Sequence, residues 1–105
     1  MPDQATVDRF RVHDAAHYLR NMSHQTRLRI VCVLAGGERS VGELQDALDM
    51  PQAAVSQQLA KLRSGGIVTE RRTGRQVYYR VIHSETIDLL QMLSGMFPAG
   101  DRGRS

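Results

Sequence analysis

Residues 40–79 place the strongest constraint on what this chain can fold into. Ser40-Val41-Gly42-Glu43 sets a Ser three residues ahead of a Glu. At that spacing the Ser hydroxyl can accept the Glu backbone N–H, and the Glu carboxylate can reach back to the Ser backbone N–H. A short helix over about Val41–Leu48 follows from it. Pro51 suits the first turn of a second helix, where its missing N–H has no intrahelical partner to lose. That helix is predicted over Gln52–Ser64. It carries Val55, Leu59 and Leu62 on one face and Ser56, Gln57, Gln58, Lys61 and Arg63 over the rest. Gly65-Gly66 stops it. Ile67-Val68-Thr69 and Val77-Tyr78-Tyr79 are strand-like runs flanking Arg71-Arg72-Thr73-Gly74-Arg75-Gln76, with Thr73-Gly74 as the turn signal. The segment therefore predicts helix, tight turn, helix and a two-stranded basic ribbon.

The 105 residues are enough for one domain or one subunit of a small dimer. With two Phe, three Tyr and no Trp, the core must be built from Leu, Val, Ile, Met and Ala. The net charge of +3 is modest, but its distribution is uneven. Between Gln52 and Arg80 stand six basic residues (Lys61, Arg63, Arg71, Arg72, Arg75, Arg80) and one acid, Glu70. Positive charge gathered on one segment points to an anionic partner. All but one of the fourteen cationic residues are Arg, whose planar fork matches phosphate oxygens and guanine edges. A polar helix beside a basic hairpin is a means of reading a DNA groove while gripping the adjacent phosphates. One Cys, Cys32, excludes an intrachain disulfide. The N-terminus has no signal-peptide pattern, and the longest apolar run, Ile30 to Ala35, is too short to cross a bilayer. The expected setting is cytoplasmic, with no membrane partner.

Outside the central segment, a first helix is expected over about Thr6–Arg20, with Val7, Phe10, Ala15, Tyr18 and Leu19 as its apolar positions. Ser23 is the expected cap of a second helix carrying Leu28, Ile30, Val31, Val33 and Leu34 and stopping at Gly36-Gly37. So apolar a helix belongs at the centre. A last helix is expected over Ser84–Met96, with Ile87, Leu89, Leu90, Met92, Leu93 and Met96, and Pro98 breaks it. The first and last helices have more apolar positions than one buried stripe needs. The expectation is a homodimer seam along both. Residues 1–97 then form one domain, and 98–105 a disordered tail.

The order of these elements resembles the bacterial ArsR/SmtB family of winged helix-turn-helix repressors. The resemblance covers about Ala16 to Met96. It rests on Met22-Ser23-His24-Gln25-Thr26-Arg27-Leu28-Arg29-Ile30, on Ser40-Val41-Gly42-Glu43-Leu44, on Ala54 to Arg63, and on Gly65-Gly66-Ile67-Val68 with Arg75-Gln76-Val77-Tyr78-Tyr79. It implies a mostly α fold with a small β-hairpin and dimerisation through the first and last helices. It further implies a homodimeric repressor on an imperfect palindrome of double-stranded DNA near a promoter. Carried over by position, Gln52, Ala53, Ser56 and Gln57 would face base edges. Gln58, Lys61 and Arg63 would touch bases or flanking backbone, and Arg71, Arg72 and Arg75 would hold phosphates or enter the minor groove.

The inducing signal is less marked. Family members that sense soft metals carry Cys in the third helix, where this chain has Val41-Gly42-Glu43-Leu44-Gln45-Asp46. A zinc site on the last helix would be only half present, in His83, Glu85 and Asp88, and is set aside. His13 and His17 share a helix face, with His24 after the turn, but two His are too few for a metal site. No metal or other cofactor is expected. Cys32 resembles one thiol of the persulfide- and redox-sensing branch, but Phe97-Pro98 stands where that branch has its second Cys. Cys32 is read first as a small core residue, since free Cys is among the most buried types. A one-thiol sensor, or coupling to another thiol, stays open, with Arg29 one turn away as a thiolate-favouring neighbour. Met22, Met50, Met92 and Met96 read as gap-fillers.

Two other classes of function compete. Catalysis needs a nucleophile with a base, paired carboxylates or a metal, and none stands at a usable spacing here, so an enzyme is not expected. A winged helix can also serve as a protein-interaction module, but the cluster of Arg71, Arg72 and Arg75 favours DNA.

Overall fold

The computed structural model describes residues 9–100. The elements are α1 (Val12–Met22), α2 (Gln25–Ala35), β1 (Arg39–Ser40), α3 (Val41–Leu48), α4 (Gln52–Ser64), β2 (Val68–Thr73), β3 (Gln76–Val81) and α5 (Ser84–Met96). This is the expected mostly helical winged helix-turn-helix.

The central segment follows the capping chemistry of its sequence. Glu43 N–H donates to Ser40 Oγ at 3.1 Å, and Ser40 N–H donates to Glu43 Oε1 at 2.8 Å. Asp49 closes α3 in the left-handed conformation at φ 54°, turning the chain toward α4. Pro51 is the N-cap of α4 and does not enter its first turn. Beyond Ser64, Gly66 at φ 77° lets its N–H reach Arg63 O (3.1 Å) while Ile67 N–H reaches Leu62 O (3.0 Å). These two bonds form a Schellman closure, with buried Ile67 packed back toward buried Leu62.

Other expectations need correction. Among the described residues the first helix begins at Val12, with Arg11 as its N-cap and Asp14 in the first turn, so it does not run unbroken through Phe10; Thr6 and Val7 lie outside the described residues. It runs past Arg20 to Met22 because Met22 is a core residue, 4% exposed. Next, His24 rather than Ser23 caps α2, accepting Arg27 N–H on Nδ1 at 3.4 Å. Ser23 instead closes α1, donating its hydroxyl to Arg20 O at 2.8 Å. Lastly, the ribbon has three strands. β1 pairs with β3, in the order β1-β3-β2, all antiparallel. Two residues are too few to show a strand's alternation in sequence. Arg71 and Arg72 lie within β2, and only Gly74-Arg75 forms the turn, with Thr73 paired to Gln76. Gly74 has φ 60°, so the two-residue loop takes its positive φ at the residue that has no Cβ to oppose it.

The core gathers Ile30, Val31 and Leu34 of α2, Leu44 and Leu48 of α3, Val55, Leu59 and Leu62 of α4, Ile67 and Val68, Met22, and Leu90 of α5. α2 is therefore central, as its apolar content requires, and α4 turns the predicted face inward. Tyr18 and Thr86 hydrogen-bond through their hydroxyls, joining α1 to α5 where Thr86 is buried. The outer sides of those two helices are unlike a finished surface. Phe10, Val12, Leu19, Met92, Met96 and Phe97 are exposed, the last three by two thirds or more. Met92 and Met96 are therefore not gap-fillers within the subunit. Among the described residues no helix is long and apolar enough to cross a membrane.

Candidate nucleic-acid interface

Burying Val55, Leu59 and Leu62 fixes the rotation of α4, because residues three and four apart share one helix face. The opposite side then carries Gln52, Ala53, Ser56, Gln57, Ala60 and Lys61, all exposed. Among the described residues Gln52, Ser56, Gln57 and Lys61 donate or accept no side-chain hydrogen bond within the subunit. Near the start of α4 a cleft of about 270 Å³ opens between Val41, Gly42 and Gln45 of α3, Gln52, and Arg75, Gln76 and Val77 of the wing. The structure thus brings Gln52 and Arg75 together. It adds Gln45 and Gln76, which sequence reading missed. Gln45 belongs to the supporting helix of the pair, where no polar residue stands out by spacing alone.

Strand alternation separates the wing's charges onto two faces. Val68, Glu70 and Arg72 share the core-facing side with Val77, Tyr79 and Val81; Thr69, Arg71 and Thr73 share the outer side with Gln76, Tyr78 and Arg80. Arg71 lies across the Tyr78 ring, 5.0 Å from its centroid, and ends in a forked pair with Glu38 at 2.7 and 3.1 Å. That reach spans the sheet to the loop before β1. The Glu38 carboxyl is held below its ordinary range by the hydrogen bond from Arg71, and the Arg71 guanidinium is raised in return. On the inner face Glu70 accepts from Arg63 (2.9 Å), Arg72 (3.3 Å) and Tyr79 Oη (3.2 Å). Tyr79 is raised, first by burial and then by the Glu70 charge. Arg75, at the turn, makes no ion pair among the described residues. Gln58 is set apart from the exposed row: its Oε1 accepts Arg27 Nη1 at 2.9 Å, tying α4 to α2.

Cys32 departs from its first reading. It is exposed, beside a recess of about 320 Å³ lined also by Ala35, Gly36, Ile87, Leu90, Gln91 and Ser94. Successive α2 residues point about 100° apart, and the core takes Val31 and Leu34, leaving Cys32 on the flank facing α5. Desolvation raises the thiol pKa. Arg29 does not counter this, since it extends to Leu48 O at 3.5 Å. His13 and His17 are exposed on α1. Among the described residues no three His, Cys, Asp or Glu side chains converge as a metal site.

Comparison with known proteins agrees with this geometry. A family model described as bacterial regulatory protein, arsR family, matches residues 24–70, from the cap of α2 into β2. The biofilm growth-associated repressor of Xylella fastidiosa (strain 9a5c) is 39% identical over 92 residues, 88% of this chain and 81% of that protein. The crystal structure of the transcriptional repressor BigR from Xylella fastidiosa superposes with a TM-score of 0.84 at 37% identity, covering 94% of this chain and 99% of that one. A homodimeric winged helix-turn-helix DNA-binding domain from Mycobacterium bovis, solved by NMR, superposes with a TM-score of 0.74 at 28% identity, covering 91% and 86%. The two Xylella proteins are named as repressors, and the Mycobacterium bovis domain as part of a possible ArsR-family transcriptional regulator. On its fold, its exposed α4 and its relatives, this chain belongs to the ArsR family of bacterial regulatory proteins.

Proposed function

We propose that the chain is a homodimeric transcriptional repressor that binds an imperfect DNA palindrome near a promoter. The observation that carries this reading is the exposed polar row of α4, whose Gln52 shares one cleft with Arg75, a cation without an ion pair among the described residues. Gln52, Ala53, Ser56 and Gln57 read base edges: Gln bonds adenine through two atoms, and the Ala methyl meets thymine methyl. Lys61 and Arg75 hold backbone phosphates, joined by Arg63, Arg71 and Arg72. Gln58 acts chiefly by fixing α4 on α2. The second copy covers the apolar outer sides of α1 and α5. The subunit measures 49 × 38 × 20 Å with a radius of gyration of 15.5 Å, against roughly 13 Å for a compact chain of this length. A flat subunit with one apolar side is suited to pairing.

Fluorescence anisotropy on DNA from upstream of the gene, with scrambled DNA as control, tests this reading. Specific binding by a dimer is expected. Replacing Arg75 with Ala should weaken binding to both DNAs and flatten the salt dependence by about 0.9 for the lost phosphate contact. Replacing Gln57 should change sequence preference. Equal affinity for native and scrambled DNA would refute sequence-specific repression.

The exposure of Cys32 favours a second reading, a repressor answering to a persulfide or oxidant through one thiol. Operator release on treatment with a persulfide donor, abolished by Cys32→Ser, is its signature. Binding indifferent to the donor refutes it.

A further inference from the structure

Arg63, Arg71 and Arg72 are not free cations. Arg63 and Arg72 share Glu70, and Arg71 is forked onto Glu38. In each pair the acid lies deeper than the base. The side chain of Glu70 is 18% exposed and that of Glu38 29%, while Arg63, Arg71 and Arg72 are 56%, 53% and 71% exposed. The guanidinium groups therefore keep an open outer side above an inner carboxylate. A carboxylate offers Arg a pair of anionic oxygens, as the two non-bridging oxygens of a backbone phosphate do. At this exposure such pairs hold weakly, and a stronger anion can displace them.

We propose that Glu38 and Glu70 set the affinity of this protein for DNA by standing in for phosphate. They hold Arg63, Arg71 and Arg72 in the free protein, and each arginine that engages the DNA backbone does so by leaving its carboxylate. The proposal rests on the reading of α4 and the wing as the DNA-binding surface. Two consequences follow. The acids lower affinity, both by competing for the arginines and by repelling the backbone. They also lower salt sensitivity, because an arginine already neutralised by a carboxylate changes the ion balance less on meeting a phosphate. The wing should thus show a shallower salt dependence than its number of arginines suggests.

Glu38→Gln and Glu70→Gln test this, each compared with wild type and Arg75→Ala by anisotropy over a range of KCl concentrations. The probes are upstream DNA and scrambled DNA of equal length. Each Gln variant should bind both DNAs more tightly, by about two- to five-fold at low salt, the scale of one exposed ion pair. Its salt dependence should steepen, by up to about 0.9 per arginine newly committed to phosphate. Arg71→Ala should cost more affinity in the Glu38→Gln background than alone. Unchanged or weaker binding by Glu38→Gln at wild-type melting temperature overturns the proposal and leaves the pairs as braces of the wing. If Glu70→Gln melts early, Glu38→Gln and its double variant with Arg71→Ala decide the matter. Weakening by Arg75→Ala without any gain from Glu38→Gln refutes this inference alone. Absence of an Arg75 effect refutes the interface reading with it.

Discussion

Arg71 connects wing structure to wing charge. Its guanidinium crosses Tyr78 and ends on Glu38, so one side chain spans the three strands. Glu38 has its pKa lowered, first by that hydrogen bond. A lowered carboxylate contributes stability that is present above its unfolded pKa, about 4.3, and is lost as pH falls through the folded value. The strap should accordingly persist at neutral pH and open only in acid below the ordinary Glu range. An NMR titration of the Glu38 carboxyl should place its midpoint below that of free Glu, and Arg71→Ala should return it; an unmoved midpoint would count against the strap in solution. Cys32 makes the opposite case. Desolvation raises its pKa, which reduces the thiolate at neutral pH. Iodoacetamide should therefore modify Cys32 more slowly at pH 7 than it modifies a free thiol, with a midpoint of the rate displaced upward. Faster reaction would mean a thiolate-stabilising neighbour. Neither property was legible in the sequence. Glu38 is 33 residues from Arg71, and the flank of α2 that bears Cys32 becomes defined only when the core claims Val31 and Leu34.

At the scale of the element, α4 is positioned by its end as well as by its buried face. Asn21, from the last turn of α1, donates to Lys61 O at 3.0 Å, a second bond to a carbonyl that also accepts Gly65 N–H at 3.0 Å where the helix stops. Its side chain occupies the space above Gly65, where an added Cβ would strike it. Gly65 has φ −83°, so its role is close approach and not a special backbone angle. Gly65→Ala should displace Asn21 and lose that bond, at about 1 kcal/mol in urea denaturation. In an Asn21→Ala background the same substitution should be close to neutral, and equal costs in both backgrounds would show that the contact does not couple them. The helices of the central segment were legible because their signals are local: the Ser40–Glu43 capping box, the Gly65-Gly66 stop and the spacing of Val55, Leu59 and Leu62. β1 was not, because it exists only through its pairing with β3. Nor was the cap of α2, since Ser23 and His24 offer competing acceptors and backbone geometry chooses between them. The basic residues of the wing were visible as a composition, but strand register alone put Arg71 and Arg72 on opposite faces.

For the whole molecule, the proposed repressor function depends on a second copy, to which the subunit's apolar side is suited. Leu19 on α1 and Met92 and Met96 on α5 are 52%, 67% and 67% exposed, on helices already joined through Tyr18 and Thr86. Apolar area of this kind favours removal from water, and a stable interface needs on the order of 1,000 Å² or more in total. A second copy meets that need with the same surface, since a two-fold interface is self-complementary. In the proposed dimer, two-fold symmetry would present two α4 helices to one side of a duplex, about 34 Å apart if they enter successive major grooves. Met92→Glu combined with Met96→Glu should produce a folded monomer, because neither side chain belongs to the core. Sedimentation should show the halved mass, circular dichroism the retained helix, and anisotropy a large loss of operator affinity with weak non-specific binding left over. Lengthening the operator centre by about five base pairs should have the same effect on the wild-type dimer, since it rotates one half-site to the far side of the duplex. Wild-type affinity from the charged monomer would mean that one α4 and one wing suffice, and the palindrome would lose its physical basis.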